Sequence, residues 1–386
     1  MNRMLNKQML RLLALSALVG SAAVSCDKAP ILPPPEISMS PANSHIVSVP
    51  GSYSFQAVKG NSSESVGAVA SAEVLWETFG TAETPSKGDV IAQAGYSAAD
   101  GLIHFTTPPT LKDGNALIAA RDASGNILWS WHIWVCDGWD PAKTAHTYYN
   151  QAGVIMDRNL GALSATPGEV SALGLLYQWG RKDPFLGSSS IRDNVDAAST
   201  LVWPEPVLST EETGTIAYAV SHPTTFIATT EENYDWYYTG EFSTDNTRWQ
   251  EEKTIYDPCP AGWKLPHGLS PARNDFWMTA LNRRFVVLSM DPGNFGLNLT
   301  GALGDADPIW YPFPGYRVDY SGDLWNVGNA AGAWSATVDL DEGDPVAKVM
   351  ALGLEVDMTL QGDYMFFPSY DYCRAFAIPV RCVIDN

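Results

Sequence analysis

Between residues 44 and 135 apolar side chains recur at every second position in short runs. Tyr53, Phe55 and Ala57 form one, Val74 and Trp76 another, Ile103 and Phe105 a third, each closed by Gly, Pro, Ser or Asn. A period of two is that of a strand with one face turned to a core. Residues 116–135 form the clearest unit: two apolar runs flank Asp122-Ala123-Ser124-Gly125-Asn126, whose Gly and Asn tolerate positive φ, so the spacing predicts a β-hairpin. Trp129, Trp131 and Trp134 lie in its second strand, and in so apolar a run they are read as core and not as a binding platform. About 100 residues of short strands predict an immunoglobulin-like β-sandwich over 37–137. Near Asp137 to Pro141 the alternation stops. From 138 to 386 local period is weak, helical spacing shows only near 171–179 and 274–281, and turns and aromatics are frequent, which predicts an α+β domain with much irregular structure. The expected fold class is therefore β-rich, in two domains.

Composition sharpens this reading. With 45% hydrophobic and 17% charged residues the chain is able to build substantial cores, and its 32 Gly and 26 Pro suit many turns. Lys and Arg number 23 against 43 Asp and Glu, a net charge of -20, which repels phosphate backbones and argues against a nucleic-acid partner.

The first 25 residues read as a signal peptide: basic Arg3, Lys7 and Arg11, an apolar run over 12–19, then small residues leading into Cys26. That run is too short to span a bilayer of ~30 Å. Ala23-Val24-Ser25-Cys26 resembles a bacterial lipobox, so Cys26 is expected to be lipidated and to anchor the chain in the outer membrane, facing the cell surface. Residues 26–36 hold Pro30, Pro33, Pro34 and Pro35, a stiff polyproline tether.

An ordered series of motifs follows in the second part: Val154-Ile155-Met156-Asp157-Arg158-Asn159-Leu160, Gly174-Leu175-Leu176-Tyr177-Gln178-Trp179-Gly180-Arg181-Lys182, Asp257-Pro258-Cys259-Pro260-Ala261-Gly262-Trp263-Lys264-Leu265-Pro266, Ala333-Trp334-Ser335-Ala336-Thr337 and Val380-Arg381-Cys382-Val383. This series resembles the Fibrobacter succinogenes major paralogous domain of Bacteroidales surface lipoproteins and fimbria-associated proteins, and assigns it to 138–386. The resemblance implies an exported, surface-associated protein with a C-type-lectin-like fold and no established chemistry. It also matches Cys259 and Cys382 to the family's two motif cysteines, implying that they are paired, which leaves Cys136 with Cys373. Without the resemblance, the four cysteines after Cys26 allow three pairings. Leu324-Trp325-Asn326-Val327 departs from a lectin calcium strand by placing Val where an acid is needed, and Asp339, Asp341, Glu342 and Asp344 lack the spacing of an EF-hand, so they are read as a solvated loop.

Motifs of catalysis are missing. No two of His45, His104, His132, His146, His222 and His267 have metal-ligand spacing, and no Gly-x-Ser-x-Gly elbow, P-loop or dinucleotide fingerprint occurs. Arg158, Arg181 and Arg381 are read as structural clamps on irregular segments. Recognition is placed on Tyr234, Trp236, Tyr237, Tyr238 and Trp249, which cluster with Asn233, Asp235 and Asn246 outside any periodic element; an interdigitated loop core is the alternative. Trp310, Tyr311 and Phe313 form a second aromatic group. The expectation is a non-enzymatic cell-surface lipoprotein without cofactor or metal. Its role would be that of a fimbria-associated adhesin or surface-recognition protein, with fimbrial subunits, a host surface protein or a glycan as partner; the alternative is a glycan-binding lipoprotein of a polysaccharide-uptake system.

Overall fold

Alternation in the first part of the chain produces eight strands: β1 (Ile37–Ser38), β2 (Ser44–Val47), β3 (Ser52–Gln56), β4 (Ser71–Thr78), β5 (Gln93–Ser97), β6 (Leu102–Thr106), β7 (Gly114–Arg121) and β8 (Ile127–Val135). The structure, a computed structural model, describes residues 36–148, 153–229, 234–238, 240, 245–268, 276–277, 286–301, 309–338, 350–358 and 364–385. Among these, strands dominate and helix is confined to short stretches such as Pro141–Thr144 and Ile216–Ser221. The protein is β-rich.

The eight strands form two four-stranded sheets, ordered β1-β3-β6-β5 and β2-β8-β7-β4. Tyr53, Phe55, Ile103 and Phe105 of the first meet Ala116, Ile118, Ala120, Trp129, Trp131 and Ile133 of the second in one core, a sandwich-like arrangement. The expected hairpin is β7–β8, antiparallel through Ala116↔Ile133 and Ile118↔Trp131. Gly125 takes φ 87° in its turn, and the Asp122 carboxylate accepts the N–H groups of Ser124 and Asn126.

The other face of β2-β8-β7-β4 is covered too. Trp76, Leu117 and Trp134 enter a second core with Met156, Leu160, Trp179, Trp249 and Trp334. Burial on both faces explains why β7 and β8 carry near-continuous apolar runs where a half-exposed strand would alternate. Most polar side chains of β8 on this face are buried with partners, as the cost of desolvation requires, whereas the buried Trp76 indole N–H of β4 has none among the described residues. Ser130 Oγ donates to Asp183 Oδ1 at 2.6 Å, and Lys182 Nζ lies 2.7 Å from the same carboxylate. His132 has Nδ1 3.0 Å from Ser44 Oγ and Nε2 2.8 Å from Asn115 Oδ1. The Trp134 indole donates to the Ala162 carbonyl at 3.1 Å. Residues Pro35–Asn386 cluster as one compact unit.

The later part of the chain is held by short sheets. Strand Leu176–Gln178 pairs with Ala377–Pro379, which pairs with Tyr316–Arg317, which pairs with Leu324–Trp325. The helix expected near 171–179 is not formed: Val170–Ala172 is a single 3-10 turn and residues 176–178 are strand. Gly174 breaks the helical course at φ 81°, where a Cβ would meet Asn159 Cβ and the Leu160 carbonyl at 3.0 Å. Within 274–281 the described residues are Phe276 and Trp277, both buried.

Cys259 and Cys382 are disulfide-bonded, with Cα atoms 5.9 Å apart. Cys136 and Cys373 are not: both are free, buried thiols. Cys136 lies in the core with Trp134 and Trp139, whereas Cys373 lies in another cluster with Ile227, Trp236 and Ala375. A thiol small and apolar enough to fill a core accounts for both without a bridge. The three arginines do clamp loops. Arg381 donates to Asn159 Oδ1 and the Trp310 carbonyl, Arg181 to Gln178 Oε1 and the Thr225 carbonyl, and Arg158 to Asp157 while lying over the Trp139 ring.

Candidate functional site

The aromatic segment expected to recognise a partner is largely interior. Trp236 and Trp249 are each 1% exposed. The Trp236 indole donates to the Trp179 carbonyl at 2.7 Å, and that of Trp249 to the Tyr256 carbonyl at 2.9 Å. Two guanidiniums stack on aromatic rings here: Arg248 is 4.7 Å from the Trp236 centroid, and Arg374 is 4.3 Å from that of Trp179, whose ring meets Trp249 edge to face at 5.5 Å. Asp235 neutralises the group through a bidentate pair with Arg248 and an ion pair with Arg374 at 3.9 Å. Burial pulls Arg374 down to about 9, against the pull of Asp235. Trp236 is therefore a wall of a buried cation cage, Trp249 packs edge to face on Trp179, and no recognition surface is built from either; a stacked guanidinium and a neighbouring indole consumed the two rings. Tyr234, Tyr237 and Tyr238 are half-buried at its edge. Tyr234 adopts φ 53°, a conformation held because its carbonyl accepts both the Arg374 N–H and the Cys373 thiol. Trp310, Tyr311 and Phe313 are buried as well. Cys26 and the acids at 339, 341, 342 and 344 lie outside the described residues.

A different place is open. A cleft of about 490 Å³ separates residues 196–206 from the turn at 321–323. Phe185 and Phe226 form its floor, edge to face with centroids 5.3 Å apart, backed by Leu176 and Leu324. On one wall stands Trp203, half-buried. Its indole donates to Ser199 Oγ at 3.0 Å and its ring packs 5.8 Å from Trp76 and 6.1 Å from Phe185, so it is fixed from the core side.

Arg317 ties the parts together: Nε donates to the Leu186 carbonyl at 3.0 Å, one amino group to the Gly322 carbonyl at 2.8 Å and the other to Asp196 at 2.7 Å. Burial lowers its pKa, and Asp196 opposes the shift. The turn comes this close only because residue 322 is glycine, at φ 74° and with the space for a Cβ taken by Phe226 Cδ1 at 2.9 Å. Asp196, Glu205 and Asp323 put three carboxylates in the lining, and Ser321 Oγ donates to Asp323 at 2.7 Å. A fixed aromatic wall beside hydrogen-bond acceptors stacks on flat apolar faces and receives hydroxyl or amine donors.

The cleft escaped sequence reasoning because its halves are more than 100 residues apart in the chain. A local signal did exist in Trp203-Pro204-Glu205-Pro206, where prolines on both sides of Glu205 exclude a helix or central strand and keep the Trp and the acid on a loop.

Among the described residues no group of three or more His, Cys, Asp or Glu is placed to hold a metal ion, and no helix is long and apolar enough to cross a membrane. Compared with known proteins, the chain matches no family model, no curated protein and no solved structure.

Proposed function

We propose that the chain is a non-enzymatic surface-recognition lipoprotein, adhesin-like in role, tethered to the outer membrane through Cys26 and engaging its partner through the cleft between residues 196–206 and 321–323. Its finer architecture in this reading is an immunoglobulin-like sandwich over 37–137 followed by an irregular, C-type-lectin-like module of the Fibrobacter succinogenes major paralogous type over 138–386. Fimbrial subunits, a host surface protein or a glycan are the partners in view.

The observation that carries the reading is the cleft itself. Its volume falls within the ~300–1,000 Å³ of ligand sites, Phe185 and Phe226 give it an apolar floor, and Arg317 braces Asp196 and the Gly322 carbonyl. A second reading, glycan capture for polysaccharide uptake, is favoured by the combination of the Trp203 ring with carboxylates in one lining.

The test uses the soluble chain from Ile37, bound to cells and to polysaccharide gels, with Trp203→Ala and Glu205→Lys as variants. Loss of binding in both variants supports the cleft, and unchanged binding removes it as the recognition site. Retention on a specific polysaccharide favours uptake, and adherence to cells without one favours the adhesin. Cys26→Ala is expected to shift the full chain out of the membrane fraction.

A further inference from the structure

We infer that the cleft takes a saccharide unit bearing a free, protonated amine. This rests on the proposal that the cleft is the recognition site, and names the ligand class.

Charge is the first ground. Among the described residues the lining holds Asp196, Glu205 and Asp323 against one cation, Arg317. That guanidinium is already directed to the Leu186 and Gly322 carbonyls and to Asp196, so it is turned inward and away from an incoming anion. Glu205 and Asp323 belong to opposite walls, the loop 196–206 and the turn 321–323, and both are exposed. A cation lying between them is attracted from two sides, and an anion is repelled from both, with the chain's net charge of -20 adding to the same bias at long range.

Shape is the second ground. Trp203 is held by Ser199, Trp76 and Phe185, so it presents a pre-set flat surface beside the floor of Phe185 and Phe226. The apolar face of a pyranose covers such a surface, whereas a lone alkylammonium chain leaves most of it wet.

Extent is the third ground. Tyr320 and Trp325 are exposed nearby, paired edge to face at 6.2 Å. Register, however, pairs Arg317 with Leu324 and Tyr316 with Trp325. Successive side chains on a strand alternate in direction, so Trp325 leaves the hairpin on the face opposite Arg317 and takes no part in the cleft. The binding surface is thus confined to the cavity and suits a short saccharide.

Three probes separate the possibilities: a glucosamine trimer, an N-acetylglucosamine trimer and a galacturonic acid trimer, titrated calorimetrically under mildly acidic conditions where the sugar amine is protonated. The glucosamine trimer is expected to bind about tenfold or more tightly than its acetylated form, and the galacturonate not at all. Glu205→Gln and Asp323→Asn should each weaken the glucosamine trimer about three- to fivefold, the scale of a partly exposed charge pair. The double variant should bind the charged and acetylated trimers alike. Equal or tighter binding of the acetylated trimer or of galacturonate overturns the inference, as does a lysine-rich peptide that outcompetes the glucosamine trimer. If no amino sugar binds while attachment to cells still depends on Trp203, the ligand class is wrong and the cleft remains the recognition site. If neither sugar binding nor attachment responds to Trp203→Ala, both proposals fail. Because Glu205 is exposed, its variant keeps the fold and preserves the test should Trp203→Ala misfold.

Discussion

Asp235 stands between two guanidiniums that no water reaches, which makes it the residue on which the aromatic segment depends. Replacing it with Asn removes the carboxylate that pairs with both Arg248 and Arg374. Breaking such a buried pair costs about 3–5 kcal/mol, so Asp235→Asn is expected to lower the urea midpoint steeply, and an unchanged midpoint would contradict the cage. The cysteines offer a second check. Cys136 is pushed up to about 12 and Cys373 well above its ordinary range, both mainly by burial, so neither is a thiolate near neutral pH. Native protein should resist alkylation at both, and alkylation after unfolding without reductant should label both and leave Cys259 linked to Cys382 in a peptide map. Sequence spoke clearly where one residue type has one dominant use, as Arg158, Arg181 and Arg381 show. It misled for Trp236 and Trp249, because a ring in an aperiodic segment is equally suited to stack on a ligand, on a neighbouring arginine as Trp236 does, or on another indole as Trp249 does.

The hairpin β7–β8 was legible because turn chemistry and apolar runs are local properties. What its runs did not declare was that the second face is also covered; Ser130 and His132 look like solvent positions until Asp183, Ser44 and Asn115 are brought against them. The stretch 171–179 failed differently. Its side-chain spacing fits a helix, but Gly174 and the pairing of Leu176–Gln178 with Ala377–Pro379, some 200 residues away, outweigh that weak local preference. The turn at 321–323 is the element most open to test. Gly322→Ala adds a Cβ against Phe226 in a left-handed conformation, a change that costs about 1–2 kcal/mol from the backbone alone. The variant should melt several degrees lower and lose affinity for whatever occupies the cleft; binding equal to wild type would detach the turn from recognition.

Across the whole molecule, His45 and His132 lie buried where the two cores meet the β2 and β8 strands, and burial pulls both down to about 3, with Lys253 adding to the shift of His45 and His45 to that of His132. The unfolded chain takes up protons near the ordinary histidine pKa of ~6.5 while the folded chain does not. Their contribution is complete above that value and is lost as pH falls towards about 3, so stability should decline through this acid window, with a shallower slope in His132→Asn. Reduction of Cys259–Cys382 frees a chain separation of 123 residues and should cost about 5 kcal/mol on the loop-entropy account; a reduced protein as stable as the oxidised one would contradict it. Alternation, turn residues and composition were enough to establish a β-rich chain with a hairpin at β7–β8, since each depends on neighbours a few residues apart. Which face of a strand is covered depends instead on segments some tens of residues away, and which thiols meet and where a cleft opens on segments separated by 100 residues or more. Trp203 and Asp323 are 120 positions apart and share a cavity, whereas Trp236 and Trp249, close in sequence and rich in promise, are buried against Arg248 and Trp179 respectively. Long-range packing chooses among the uses that local chemistry leaves open, because burial and pairing energies exceed the local preferences that a sequence displays.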